Sequence, residues 1–142
     1  MLKGIPNILS PELLKILMEM GHGDEIVLAD GNFPSASHAK RLVRLDGHDM
    51  PLLLNSILQL FPLDNFVDMP AVLMAVVPGD NYFPEIWQIY LKIIQQYENN
   101  FSDFEKLERF AFYERTEKAY AVVATSEKNR YANIILKKGL LL

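Results

Sequence analysis

The 142-residue sequence contains no cysteine. That excludes disulfides, thiolate metal centres and a cysteine nucleophile together, and it fits a reducing, cytoplasmic compartment. Positive charge is also scarce: 14 Lys and Arg stand against 18 Asp and Glu, for a net charge of −4. Nucleic-acid binding needs a concentration of cations that this chain lacks. Long apolar runs are missing too, since no stretch approaches the roughly 20 apolar residues of a membrane span. In the N-terminal MLKGIPNILSPELLKILMEM, Pro6 and Pro11 interrupt the apolar residues, and Glu12, Lys15 and Glu19 add charge. No small-residue cleavage site follows, so the segment reads as part of a soluble domain rather than a leader. There is no Gly-rich phosphate loop after a strand, no Walker lysine and no Gly-x-Ser-x-Gly elbow. Nothing in the chain points to a nucleotide.

What is present is apolar substance. Half of the residues are hydrophobic, and a domain of this length buries about two-thirds of its unfolded surface on folding. One domain is expected over residues 1–142. A helix is predicted from Pro11 to Met20, with Ser10 as N-cap, Pro11 at the first helical position and Gly21 as a left-handed end. Ile26–Ala29 is a continuous apolar run, the pattern of a strand buried on both faces. Gly31–Ser37 reads as a loop and Arg41–Leu45 as a short strand. Asp49 caps a helix running to about Phe61. Ala71–Val77 is a strand ended by Pro78-Gly79-Asp80, and Pro84 opens the longest helix. FEKLERF reads as a strand and FYERTEKA as a short helix. Ala119–Thr125 and Tyr131–Lys138 read as further strands. Alternating strands and helices without a composition break give a single α/β domain, a layered sheet with helices packed on it.

Several polar residues sit where chemistry could occur. His22 lies between two glycines in GHGDE, at a helix-to-strand connection, and histidine's ordinary pKa of about 6.5 suits proton transfer near neutrality. A turn that merely contains a histidine is the commoner case for a histidine in such a place. Asp30 ends the strand EIVLAD, and ligands of α/β sheets sit outside the carboxyl ends of strands; a loop-turn aspartate is the bland alternative. His38 and His48 lie in polar surroundings and read as surface residues. Spaced 16 and 10 residues apart, the three histidines match no metal motif, and no metal is expected. In RFAFYER, Arg109 could donate to sugar oxygens and Tyr113 could pass a proton, or the aromatics could be core and the charges solvent. Tyr131 and Asn133 stand two apart, so in a strand their hydroxyl and carboxamide would share a face.

Taken together, LLKILMEMGHGDEIVLAD, RFAFYER and YANIILKKG resemble, in order and along essentially the whole chain, the L-fucose mutarotase family, relatives of the ribose pyranases. The GHGDEI segment with its following Asp, and the Tyr-x-Asn-Ile ending, are shared across these relatives. RFAFYER marks the fucose branch. The resemblance implies an isomerase that interconverts sugar anomers without a cofactor, and a ring-forming protomer, commonly in a homodecamer of two stacked pentamers with sites near subunit boundaries. It implies His22 and Tyr113 as catalytic residues, and Asp30, Arg109, Tyr131 and Asn133 as the groups that bind a monosaccharide, L-fucose. The loop GNFPSASHAKR departs from its relatives and leaves His38 without a role. A ribose pyranase-like enzyme, a non-catalytic sugar-binding protein and a purely structural ring protein are the competing readings.

Overall fold

The structure, a computed structural model, describes residues 1–142. Ser10 Oγ accepts a hydrogen bond from the Leu13 N–H (3.2 Å) and caps helix α1 (Pro11–Glu19), whose Leu13, Ile16 and Leu17 are buried. The helix does not end on Gly21 as expected. Met20 leaves it in an extended conformation, and the left-handed residue is Gly23 (φ 87°). The Gly21 N–H donates to Asp24 Oδ2 (2.8 Å), and the Gly23 N–H to the Lys138 carbonyl (2.8 Å). The GHGDE loop is thereby tied to the end of the last strand.

Six strands, β1 (Glu25–Ala29), β2 (Leu42–Leu45), β3 (Ala71–Met74), β4 (Glu105–Leu107), β5 (Ala121–Thr125) and β6 (Ile134–Lys137), form one sheet in the order β2-β5-β1-β6-β3-β4. The pairings β1–β5, β2–β5 and β3–β4 are parallel, whereas β6 runs antiparallel to both β1 and β3. The sheet is therefore mixed, with one reversed strand at its centre. Two strands are shorter than their sequence suggests. The run Ala71–Val77 leaves the ladder at Met74, and the Ala75 N–H reaches the Leu107 carbonyl (2.7 Å) outside it. Tyr131–Lys138 becomes a strand only at Ile134, because Tyr131 is left-handed (φ 57°) and extended pairing cannot pass through it.

Between the strands lie α2 (Ser35–His38), α3 (Met50–Leu58), α4 (Ile86–Tyr97) and α5 (Arg109–Lys118). The Asp49 side chain caps α3 at the Leu52 N–H (3.3 Å), as expected. The loop expected over 31–37 instead turns into α2 at Ser35. FEKLERF stops being a strand at Leu107, because the Glu108 carboxylate accepts from the Phe110 and Ala111 N–H groups (2.6 and 3.2 Å) and starts α5 at Arg109.

Strand alternation sorts the core onto two faces. Ile26, Leu28, Val123, Leu73 and Ile134 belong to the larger cluster, which α1, α3 and α4 complete with residues such as Leu13, Leu53 and Tyr90. Val27, Ala29, Val72, Val122 and Ile135 face the other way, onto Phe33 and the Phe112 of α5. No helix is long and apolar enough to cross a membrane.

Just beyond β6 the chain passes the segment before β3 closely. The Gly139 N–H donates to the Pro62 carbonyl (2.8 Å), and a Cβ at this position would overlap the Leu63 carbonyl group, whose carbon it would meet at 2.7 Å. Gly139→Ala must push two backbones apart and is expected to cost about 1–3 kcal/mol, read as a lower urea midpoint. An unchanged midpoint would mean that this crossing yields freely.

Candidate active site

The reversed β6 brings its amino end to the edge where β1, β3 and β5 have their carboxyl ends. Asp30 follows β1 there, only 7% exposed. Its N–H donates to Asn133 Oδ1 (2.8 Å), which joins two of the sequence-predicted residues directly, and its Oδ1 accepts from the Asn32 N–H (3.0 Å). Burial pushes the Asp30 carboxyl above its ordinary pKa of 3.8, and the negative Glu127 adds to the rise; hydrogen bonds from the Asn32, Ala132 and Phe33 backbone offset part of it.

Tyr131 holds its left-handed conformation because its surroundings fix it. Its carbonyl accepts from Trp87 Nε1 (2.8 Å), and the next carbonyl, of Ala132, accepts from the buried Tyr90 hydroxyl (2.7 Å). Both donors come from α4. The Tyr131 hydroxyl donates to Asp80 Oδ2 (2.7 Å) and accepts from the Val77 N–H (3.3 Å). Asp80 also pairs with Arg130, whose guanidinium lies over the Tyr82 ring at 4.7 Å. The Tyr131 hydroxyl, the Tyr82 N–H and Arg130 together hold Asp80 below the usual carboxylate range. Backbone strain of this kind, kept in place by several partners, is characteristic of ligand sites.

The fourth wall is the first turn of α5. Arg109 Nε donates to the Tyr113 hydroxyl (3.1 Å). The Tyr113 ring packs edge-on against Phe33 (5.4 Å between centroids) and beside His38 (5.2 Å). His38 is not a surface residue as its sequence suggests. Its side chain is 21% exposed, 3.8 Å from Glu117, and its Nδ1 donates to the Pro34 carbonyl (3.0 Å). Asp30, Arg109, Tyr113, Tyr131 and Asn133 all line one cavity of about 240 Å³, along with Arg130. Sites for drug-sized ligands occupy roughly 300–1,000 Å³, so this one suits a single sugar ring. Hydroxyls would meet a carboxylate, two guanidiniums, a carboxamide and two phenols there.

His22 is elsewhere. It precedes β1, while Asp30 follows it, so the length of the strand, about 16 Å, separates them. At that far end the buried Asp64 carboxylate accepts from His22 Nε2 (3.2 Å). Asp64 can only accept, so the neutral imidazole keeps its proton on Nε2 and leaves Nδ1 unprotonated. Burial pushes Asp64 up, but the Phe66 N–H (3.0 Å) and His22 outweigh it and hold the carboxylate below its ordinary range. The His22 ring is 40% exposed and lies 5.6 Å from Phe66, itself 67% exposed. No three His, Asp or Glu side chains come together in an arrangement that could hold a metal ion.

The sequence reasoning missed Asp80, Arg130 and Asp64. Pro78-Gly79-Asp80 was read only as the end of a strand, and Asp64 carries no motif. Arg130, next to Tyr131, was the one with a local signal.

The fold and site together define a class: a single-domain α/β protein with a sugar-sized polar cleft at the carboxyl edge of its sheet. The chain belongs to the RbsD / FucU transport protein family, whose sequence model matches residues 3–141. It is 48% identical over 140 residues to the L-fucose mutarotase of Actinobacillus pleuropneumoniae serotype 5b (strain L20), a match that covers 99% of this chain and 97% of that protein. It is 51% identical over 146 residues to the fucose mutarotase of Mus musculus, covering 99% and 95%. Among solved structures, the fucose mutarotase from Streptococcus pneumoniae in complex with L-fucose superposes with a TM-score of 0.92 at 56% identity, over 99% of this chain and 100% of that one. Bacillus subtilis RbsD complexed with D-ribose gives a TM-score of 0.74 at 25% identity, over 100% of both chains.

The raised pKa of Asp30 has a consequence for stability. A group whose folded pKa lies above its unfolded one stabilises the fold below the unfolded value and loses that contribution as pH rises through the folded value. Asp30 in its ionised form therefore opposes folding. Asp30→Asn keeps an oxygen for the Asn32 N–H and removes the charge, so it is expected to unfold a few degrees above the wild type at pH 7. The gap should close as pH is lowered toward 4. A variant that melts lower at pH 7 would show that the carboxylate supports the fold.

Proposed function

We propose that this protein is a cytoplasmic L-fucose mutarotase that interconverts the α and β anomers by acid–base ring opening and closure. The carrying observation is the single cavity lined by Asp30, Arg109, Tyr113, Tyr131 and Asn133, in a chain about half identical over its full length to proteins named for this activity. The much higher identity to the fucose-bound structure than to the ribose-bound one favours fucose over a pyranose–furanose exchange of ribose.

The reaction asks little of the protein. The anomeric hydroxyl loses a proton, the C1–O5 bond breaks, and O5 gains a proton, giving the open-chain aldehyde. Rotation about C1–C2 presents the other face, and closure reverses both transfers. Positioned acid–base groups contribute about 10²–10⁴-fold to such a step. In this reading Asp30, Arg109, Tyr131 and Asn133 hold the hydroxyls, Tyr113 passes one proton, and His22 Nδ1 takes the other.

His22 cannot reach the cavity of its own chain across the length of β1. A second copy must supply it. Phe66, Val67 and Met69, exposed beside His22, offer an apolar contact for that copy. One end of the sheet meeting the opposite end of the next is a head-to-tail contact, and such contacts make a ring where the rotation between copies closes. This supports a ring assembly, with the decamer of two stacked pentamers as its proposed form.

The test is NMR exchange between α- and β-L-fucose with catalytic amounts of protein. The wild type should accelerate exchange, while His22→Ala and Arg109→Ala should each lose most of the acceleration, by about 10²-fold or more. Unfolding and reassembling the two variants together should restore part of it, because some mixed assemblies carry an intact His22 beside an intact Arg109. No recovery from well-assembled mixtures would place both groups in one chain's site.

A further inference from the structure

Beside the polar cavity lies a second one, of about 290 Å³, with a different lining: Ala75, Val76, Val77, Pro78 and Phe110, bounded by Glu108 and Arg109. Val77 and Arg109 line both cavities. They are therefore neighbours with a shared wall. Arg109 forms it, its guanidinium 5.3 Å from the Phe110 ring on one side and hydrogen-bonded to the Tyr113 hydroxyl on the other. Glu108, the one carboxylate on the apolar side, is engaged with the Phe110 and Ala111 N–H groups as the helix cap. Among the side chains of that cavity, Arg109 alone keeps donors that could reach a ligand.

The apolar wall is also built to stay in place. The Ala75 N–H is bonded to the Leu107 carbonyl (2.7 Å) and the Val77 N–H to the Tyr131 hydroxyl (3.3 Å), so residues 75–77 are fixed at both ends to elements of the sugar cavity. Yet Val77 is 44% and Phe110 68% exposed. These apolar side chains are held next to a polar site without being used by the core.

We infer that Val77 and Phe110 form the subsite for the C5 methyl group of a 6-deoxy sugar, and that they decide the enzyme's preference for L-fucose over sugars that lack this methyl or carry a hydroxyl on it. The inference rests on the mutarotase reading and adds the specificity determinant to it. A pyranose is polar around its hydroxyls and, in a 6-deoxy sugar, apolar at one corner. A polar cavity with an apolar annex across one residue matches that division. A methyl group placed in an apolar pocket is worth roughly 10–200-fold in discrimination. A 6-hydroxyl placed against Val77 and Phe110 would lose its water to side chains that cannot replace it.

Three sugars with the same ring configuration test this: L-fucose, D-arabinose, which lacks the methyl carbon, and L-galactose, which bears a hydroxyl on it. Anomer exchange is measured by NMR for each with the wild type, Phe110→Ser and Val77→Thr. The wild type should favour L-fucose over D-arabinose in kcat/KM by at least about 10-fold, mostly through KM. Phe110→Ser should cut that ratio several-fold or more, and Val77→Thr should shift preference from L-fucose toward L-galactose. Equal kcat/KM for L-fucose and D-arabinose in the wild type would overturn the subsite. So would variants that lose activity on all three sugars in the same proportion. If the wild type accelerates none of the three, the mutarotase reading falls and the subsite with it.

Discussion

Strand β6 is hydrogen-bonded antiparallel on both sides, to β1 from Glu25–Lys137 to Leu28–Ile134 and to β3 from Ala71–Leu136 to Leu73–Ile134. The polar groups at both ends of the sheet are arranged by that pairing. Because β6 runs against its neighbours, the segment leading into it arrives at their carboxyl ends. Tyr131 and Asn133 thus meet Asp30, and the start of α5 after β4 brings Arg109 to the same edge. A parallel β6 would have delivered them to the opposite end of the sheet. The same reversal sends Lys137 and Lys138 down to the GHGDE loop and Asp64, where they complete the support of His22. One central strand therefore builds both ends.

Holding the edge takes more than the ladder. The left-handed Tyr131 departs from what a bulky side chain prefers, and it persists because Trp87 and Tyr90 grip its carbonyl and the next one. Tyr90 is fully buried, and burial, with the nearby carboxylates Glu127 and Asp30, pushes its hydroxyl far above its ordinary pKa. It is a donor only, and its position is set by the packing of α4 against the sheet. On the other flank the Thr125 hydroxyl donates to the Ala29 carbonyl (2.8 Å), and the Glu127 carboxylate gathers the Met50, Lys128 and Asn129 N–H groups. Burial alone would raise Glu127, but these bonds hold it below its ordinary range. Asp30 is thus desolvated between supports that are themselves satisfied, and its own carboxylate takes hydrogen bonds from nearby backbone, the Asn32 N–H among them.

Much of this could be read from the chain before the structure. Capping residues act within one turn, so Ser10 and Asp49 marked their helices correctly, and the run Ile26–Ala29 showed burial on both faces. The residues lining the cavity, Asp30, Arg109, Tyr113, Tyr131 and Asn133, were also legible, through their likeness to a family rather than through spacing. Relations over distance were not legible. No local pattern reports that β6 is reversed, that Tyr131 is left-handed because Trp87, 44 positions earlier, needs its carbonyl, or that Asp64 waits 42 positions beyond His22. His38 looked like solvent because its neighbours in sequence are polar, yet its ring lies against Phe33 and Tyr113, which only the fold brings near.

The separation of His22 from Asp30 follows from the same strand length that makes the fold stable. Ile26, Val27 and Leu28 of β1 pair on both sides and pass through the middle of the core, with Ile26 to Ala29 fully buried. Shortening β1 to bring its two ends together would remove the centre of the sheet. A protein with this topology can keep a buried, hydrogen-bonded aspartate at one end and a carboxylate-oriented histidine at the other, but it cannot apply both to one small ligand by itself. The proposed head-to-tail contact would join the two without altering the fold, since the amino edge of one copy can face the carboxyl edge of another. Asp64 holds the His22 ring within its own chain, so in the proposed assembly the imidazole would arrive at the neighbour already oriented. If the proposed assembly forms, an isolated chain would keep its fold and its polar cavity but lack His22 at that cavity.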